Sequence, residues 1–120
     1  MAVILSVDDS ASLRQMLMIT LQNAGHQVVS AEDGRSAFEL ARQITFDLVV
    51  TDFNMPQLNG PGLISALRAE PNYQHTPMLL LTTEDAAEKK QAGKDAGATG
   101  WLKKPVDPRQ LLMTIDRLLS

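Results

Sequence analysis

Apolar residues fall along this chain in two alternating patterns. One is the short, nearly unbroken run, seen in "AVILSV" (2–7), "FDLVVT" (46–51) and "PMLLLT" (77–82). Strand side chains alternate between faces, so a continuous apolar run suits a strand covered on both sides. "QVVSA" (27–31) and "TGWLK" (99–103) are shorter members of the same class. Between these runs the spacing lengthens to that of amphipathic helices. Leu13, Met16, Leu17, Thr20, Leu21 and Ala24 recur at helical intervals after Ser10, and Gly25 supplies a stop. Arg35 to Gln43 predicts a second helix with Ala37, Leu40 and Ala41 inward. Pro61 fits the first turn of a third, through Leu63, Ile64 and Leu67, where its missing N–H is no loss. Asp107 is a cap for a last helix, with Pro108 at its first position and Leu111, Leu112, Ile115, Leu118 and Leu119 facing the core. The stretch from Asp85 to Ala96, rich in Ala and Lys, is only weakly amphipathic and predicts the least firmly docked helix.

Strand and helix patterns that alternate with short linkers predict an α/β fold, a doubly wound parallel sheet with helices on both faces. The pattern runs from residue 2 to 119, so a single domain, 1–120, is expected, with any signal leaving through its surface. The length fits one core. A net charge of -3 and scattered aromatics argue against a nucleic-acid partner, which would need clustered Lys and Arg. Zero cysteines exclude disulfides and thiolate metal sites. His26 and His75 are far apart, lack ligand spacing and read as surface residues. "AVIL" is too short for a signal peptide or a membrane span, so a cytoplasmic protein without a membrane partner is expected.

Open parallel sheets bind ligands beyond the carboxyl ends of their strands. The residues that close each predicted strand are therefore the informative ones. Asp8-Asp9 close the first, Asp52 the third, Thr82-Thr83 the fourth and Lys103-Lys104-Pro105 the fifth; the second ends in nothing comparable. Three carboxylates, a hydroxyl and an amine would thus converge on one edge. Each has an ordinary alternative. Asp52 fits a turn after a strand, Asp9 or Ser10 fits a helix cap, and Thr82 is a common strand residue. Trp101 fits a half-exposed packing ring, and surface lysines are frequent. Capping accounts for one of the paired acids, not both.

Together "VDDS" (7–10), "DFNMPQLNG" (52–60), "LLTTE" (80–84) and "GWLKKP" (100–105), in that order and spacing, resemble the receiver domain of two-component response regulators. The likeness is to the stand-alone, CheY-like chemotaxis kind and runs along the whole chain. It implies a flavodoxin-like fold of five strands in the order 2-1-3-4-5 with five helices. It implies that Asp52 is the nucleophile and phosphoacceptor, a chemistry carboxylates support. It implies Mg2+ bound by Asp9 directly, by Asp8 mainly through water, and by Asp52 and the backbone carbonyl of Asn54. Clustered carboxylates need such a cation, and an all-oxygen set suits a hard one.

By the same resemblance, Lys104 pairs with Asp52 at rest and with phosphoryl oxygens afterwards, and the Lys104–Pro105 bond is cis. Thr82 matches the switch hydroxyl, and Trp101 the aromatic switch position, normally Tyr or Phe. Asn54, Thr83 and Glu84 hold positions that tune phosphate lifetime; Thr83 stands where the family favours Ala or Gly. The implied partners are a chemotaxis-type histidine kinase as donor and a flagellar motor switch protein or phosphatase as target. The implied product is a monomeric signalling switch with autocatalytic phosphorylation and dephosphorylation; a phosphate sink or phosphorelay receiver fits the same residues. Two other classes fit less well. An aspartate-based Mg2+ phosphohydrolase calls for a second acid two residues after the nucleophile, where Asn54 stands. A flavodoxin-like cofactor carrier needs a Ser/Thr/Gly phosphate loop after strand one, where "VDDSAS" offers anions.

Overall fold

Two strands, β3 (Leu48–Asp52) and β4 (Met78–Thr82), are buried at every residue, as their unbroken apolar runs require. They lie at the middle of a five-stranded parallel sheet in the order β2-β1-β3-β4-β5. The other strands are β1 (Val3–Val7), β2 (Gln27–Ala31) and β5 (Gly100–Lys103). The computed structural model describes every residue except 84–86 and the side chain of Ala87. Its helices are α1 (Ala11–Asn23), α2 (Gly34–Gln43), α3 (Gly60–Arg68), α4 (Ala87–Ala96) and α5 (Pro108–Leu119). The alternation expected from the sequence is therefore present, with the strand order that the resemblance implied.

Alternating strand residues feed two cores. Leu5, Val7, Val49 and Leu80 pack with Ala37 and Ala41 of α2 and Leu63, Ile64 and Leu67 of α3. Ile4, Leu48, Val50, Leu79 and Leu81 point the other way, onto Leu17 and Leu21 of α1 and Leu111 and Ile115 of α5. Fully burying one such aliphatic side chain contributes about 1.5–3 kcal/mol. The described part of α4 has no Leu, Ile, Val, Phe or Met, only Ala and Gly among long polar residues. Its weak apolar docking is a consequence of composition, as expected. Gly93 lets it approach β4 closely, since a Cβ there would fall 2.6 Å from Leu80 Cδ1.

Caps set the helix starts that aim the loops. Ser10, Asp33, Asn59 and Asp107 each accept an amide hydrogen bond at the start of α1, α2, α3 and α5. Ser10, rather than Asp9, is thus the α1 cap, and Asp107 with Pro108 opens α5 as its sequence predicts. At the end of α1, Gly25 takes φ 94°, a conformation that favours glycine.

Several boundaries differ from expectation for local reasons. The first strand begins at Val3, not residue 2. The third begins at Leu48, not residue 46, because the Phe46 amide donates to the Tyr73 hydroxyl instead of a strand. Its last residue is Asp52 itself. The fourth and fifth begin one residue later than predicted, at Met78 and Gly100. Before β5, Thr99 Oγ1 accepts from the Met78 amide and the Thr99 amide donates to the Met78 carbonyl. Ala24 is exposed at the α1 C-terminus rather than inward. His26 is half-buried, its Nδ1 accepting from the Ala2 amide, so only His75 is the exposed residue expected. A short 3-10 turn (Pro71–Tyr73) was not legible in the sequence. The predicted start of the fourth helix at Asp85 lies outside the described residues.

Candidate functional site

Strands β1, β3, β4 and β5 deliver polar groups to one edge of the sheet from their carboxyl ends. Asp8 follows β1, Asp52 ends β3, Thr82 ends β4 and Lys104 follows β5. The register makes this convergence possible, since Asp52 lies beside Leu81, and Thr82 beside Lys103. The backbone ties continue past the ladders. Phe53 N donates to Leu81 O at 2.8 Å, and Lys104 N donates to Thr82 O at 2.7 Å. The Lys104–Pro105 peptide is cis, as the resemblance implied.

Asp8 and Asp52 are both buried, Asp52 with only 6% of its surface exposed. Between them sits the Lys104 ammonium, 3.1 Å from Asp8 Oδ2 and 3.0 Å from Asp52 Oδ1. The other Asp8 oxygen accepts from the Ser10 amide at 2.8 Å. Asp8 is therefore fully engaged by the protein, while the second oxygen of Asp52 has no hydrogen bond among the described residues. Asp9 stands exposed beside them. One oxygen from each of Asp8, Asp9 and Asp52 lies within 4.8 Å of the others. Asp9 and Asn54 border the same open recess, together with Met55, Pro56 and Asn59.

The electrostatics follow from that crowding. Burial pushes the Asp52 carboxyl above the ordinary carboxylate range, its hydrogen bond to Lys104 opposes this, and Asp8 and Asp9 add to the rise. Burial acts on the Lys104 ammonium in the opposite sense, yet its contacts with Asp52 and Asp8 together outweigh it and hold its pKa above the usual value. Three carboxylates against one ammonium leave the site doubly negative when all are ionised. Hard oxygen donors, an excess of negative charge and an open side form a donor set that fits Mg2+.

Thr82 is buried beside the acids, whereas Thr83 is exposed. Trp101, on the edge strand, is 38% exposed. Glu84 lies outside the described residues. The structure thus brings Asp8, Asp9, Asp52 and Lys104 together, with Thr82 at the end of the adjoining strand. Trp101 lies on the α4 side of the sheet, where it registers with Leu80.

Sequence reasoning missed Arg14. Its half-buried guanidinium donates to the Asp8 carbonyl at 2.7 Å and fixes the turn that carries Asp9. A basic residue one helical turn past a capping serine was the available signal. Gly60, which closes the "DFNMPQLNG" motif, is pressed so near the Asp52 carbonyl that an added Cβ would clash. Its amide donates to Phe53 O at 3.0 Å, closing the loop after the strand.

Comparison with known proteins agrees along the chain. The family model for the response regulator receiver domain matches residues 4–116. Protein PilH of Pseudomonas aeruginosa is 41% identical over 120 residues, spanning 100% of this chain and 99% of that protein. A chemotaxis protein CheY homolog of Campylobacter jejuni is 33% identical over 119 residues, 98% of this chain and 92% of its own. Among solved structures, the Vibrio cholerae chemotaxis protein CheY4 superposes with a TM-score of 0.96 at 50% identity, covering 99% of both chains.

Proposed function

The chain belongs to the response regulator receiver family, and from that premise we propose that it is a cytoplasmic, chemotaxis-type switch activated by phosphorylation of Asp52. Receiver domains take their phosphate from histidine kinases. Residues 1–120 act in this reading as one receiver domain. The observation that carries it is the Lys104 ammonium bridging Asp8 and Asp52 at 3.1 and 3.0 Å, with Asp9 beside them.

In this mechanism the Asp52 oxygen that Lys104 does not hold attacks the phosphorus of a kinase phosphohistidine. The P–N bond breaks, and its electron pair leaves with the imidazole, which takes up a proton. An acyl phosphate remains on Asp52. Lys104 is placed to follow the charge, turning from the carboxylate it loses to the phosphoryl oxygens that replace it. Asp8 holds the ammonium in the meantime. Asp9, Asp52 and the Asn54 carbonyl would hold Mg2+, with Asp8 contributing mainly through water. When bound, the ion supplies neutralisation of charge on the transferred group.

The phosphoryl group adds acceptor oxygens next to Thr82. The Thr82 hydroxyl turns toward them and vacates space for Trp101. The surface made by α4, β5 and α5 then changes its affinity for a target, provided the target binds one state better. Asn54, two residues after Asp52, and Thr83 and Glu84, which follow Thr82, set the lifetime of the phosphoryl group. A flagellar motor switch protein or a phosphatase is the proposed target. The same residues also fit a second reading, a phosphate sink or relay without motor output.

Labelled phosphate supplied on a histidine kinase tests the proposal. The wild type should take the label with Mg2+ and lose that ability in EDTA, while Asp52→Asn should stay unlabelled. Label on Asp52→Asn, or none on the wild type with Mg2+, contradicts it. Capture of the motor switch protein by the phosphorylated form supports motor output; labelling without capture supports the second reading.

A further inference from the structure

A cavity of about 410 Å3 lies between α4 and the sheet, walled by Phe53, Leu80, Thr82, Gly93 and Trp101. The Trp101 ring forms part of its wall rather than its filling, since 38% of the residue remains exposed. Space is not what keeps the ring at the surface: a cavity of about 150 Å3 already accepts a benzene-sized group. Gly93 and Gly100 line it without side chains that would fill it.

What engages the ring is a charge from α4. The Lys90 ammonium lies 4.2 Å from the Trp101 ring centroid, well within cation–π range. One residue earlier, Lys89 lies 5.1 Å from the Phe53 ring, on the residue that follows Asp52. The described part of α4 brings no large apolar side chain to the sheet. Two lysine–aromatic contacts therefore flank the cavity where other helices use leucines.

We propose that Lys90 is the latch of the aromatic switch, a positioning residue whose ammonium holds the Trp101 ring at the cavity mouth and sets how often it enters. This rests on the switch role given to Trp101 above and adds the group that opposes it. Entry breaks the Lys90 contact, so the resting state is favoured by what the contact is worth. For an exposed ammonium and indole that is about a 2- to 5-fold bias in the equilibrium. The same movement releases a docking contact of α4, which links ring position to helix position.

Trp101 is the sole tryptophan, so its fluorescence reports the ring directly. The test compares emission and acrylamide quenching of the unphosphorylated wild type with Lys90→Met, Lys90→Arg and Lys94→Met. Lys94 also lines the cavity and serves as a control for charge alone. Lys90→Met should show blue-shifted emission and reduced quenching, matching an inward population raised about 2- to 5-fold. Lys90→Arg, which keeps a cation over the ring, and Lys94→Met should match the wild type. Emission unchanged in Lys90→Met, or shifted equally in Lys94→Met, overturns the latch. Adding beryllofluoride with Mg2+ separates the two readings. The latch predicts that Lys90→Met completes its shift at lower mimic concentration, whereas a mimic that shifts no variant counts against the phosphoacceptor reading instead.

Discussion

Magnesium should raise the thermal stability of this protein, and the size of the rise can be worked from the acid cluster. Two like charges 4.8 Å apart repel by about 3.5 kcal/mol at an effective dielectric near 20. The oxygens of Asp8, Asp9 and Asp52 form three such pairs at that distance or less. Lys104, at 3.0 and 3.1 Å from two of them, returns about 5 kcal/mol per contact on the same scale. Repulsion and attraction are therefore of similar size, and among the described residues Asp9 has no cation paired with it. A divalent cation fills that need only in the folded chain, where the three oxygens meet. At 100 times its Kd it stabilises the fold by about 2.7 kcal/mol. With about 2.1 cal/mol/K of unfolding entropy per residue over 120 residues, the melting temperature should rise by roughly 10 °C. Calorimetry across a Mg2+ titration, with EDTA as the zero point, measures this. Asp9→Asn and Asp52→Asn should each lose more than half of the shift, while Asp116→Asn, exposed on α5, should keep all of it. A wild type indifferent to Mg2+, or one whose response survives both site substitutions, refutes the reasoning.

Three further outcomes follow from particular contacts. The folded-state pKa of Asp52 is raised, chiefly by burial, so its ionisation opposes folding once pH passes the unfolded carboxylate value of 3.8. Asp52→Asn should then be more stable than the wild type at neutral pH without divalent ions, and denaturant titrations should show the gap closing below about pH 4; a gap that widens on acidification contradicts this. Gly60→Ala places a Cβ 2.7 Å from Leu80 Cδ2 and hard against the Asp52 carbonyl, so the urea midpoint should fall by the equivalent of about 1–3 kcal/mol. An unchanged midpoint would show that the loop yields more easily than its backbone packing implies. On the proposed function, Thr83→Ala should accept phosphate faster from the same kinase, because it removes the exposed branched side chain that follows Thr82 at the end of β4; equal rates would count against crowding at that position.

The sheet could be read from the chain because β3 and β4 are buried on both faces, and only continuous apolar runs satisfy that. The site was legible for a related reason: polar residues closing such strands have few other places to go in a parallel sheet. What escaped was set by tertiary contacts. Phe46 looks like strand by composition, but the Tyr73 hydroxyl, 27 positions away in the chain, takes its amide. His26 looks like a surface residue until the Ala2 amide is brought to its ring. Arg14 offered only its place one helical turn past Ser10 as a sign, and its bond to the Asp8 carbonyl is a tertiary contact. The choice between Asp9 and Ser10 as cap was likewise open in the sequence, and Ser10 makes the bond to the Leu13 amide. That leaves Asp9 free for the open side of the site.

A crystal structure of the wild type with Mg2+ and beryllofluoride is the most direct test of the account. It should show the ion bonded to Asp9, Asp52 and the Asn54 carbonyl, and beryllium bonded to an Asp52 oxygen with its fluorides in contact with Lys104 Nζ and the Thr82 hydroxyl. A beryllofluoride adduct on any other carboxylate, or a Lys104 that still bridges Asp8 and Asp52 unchanged, would contradict it.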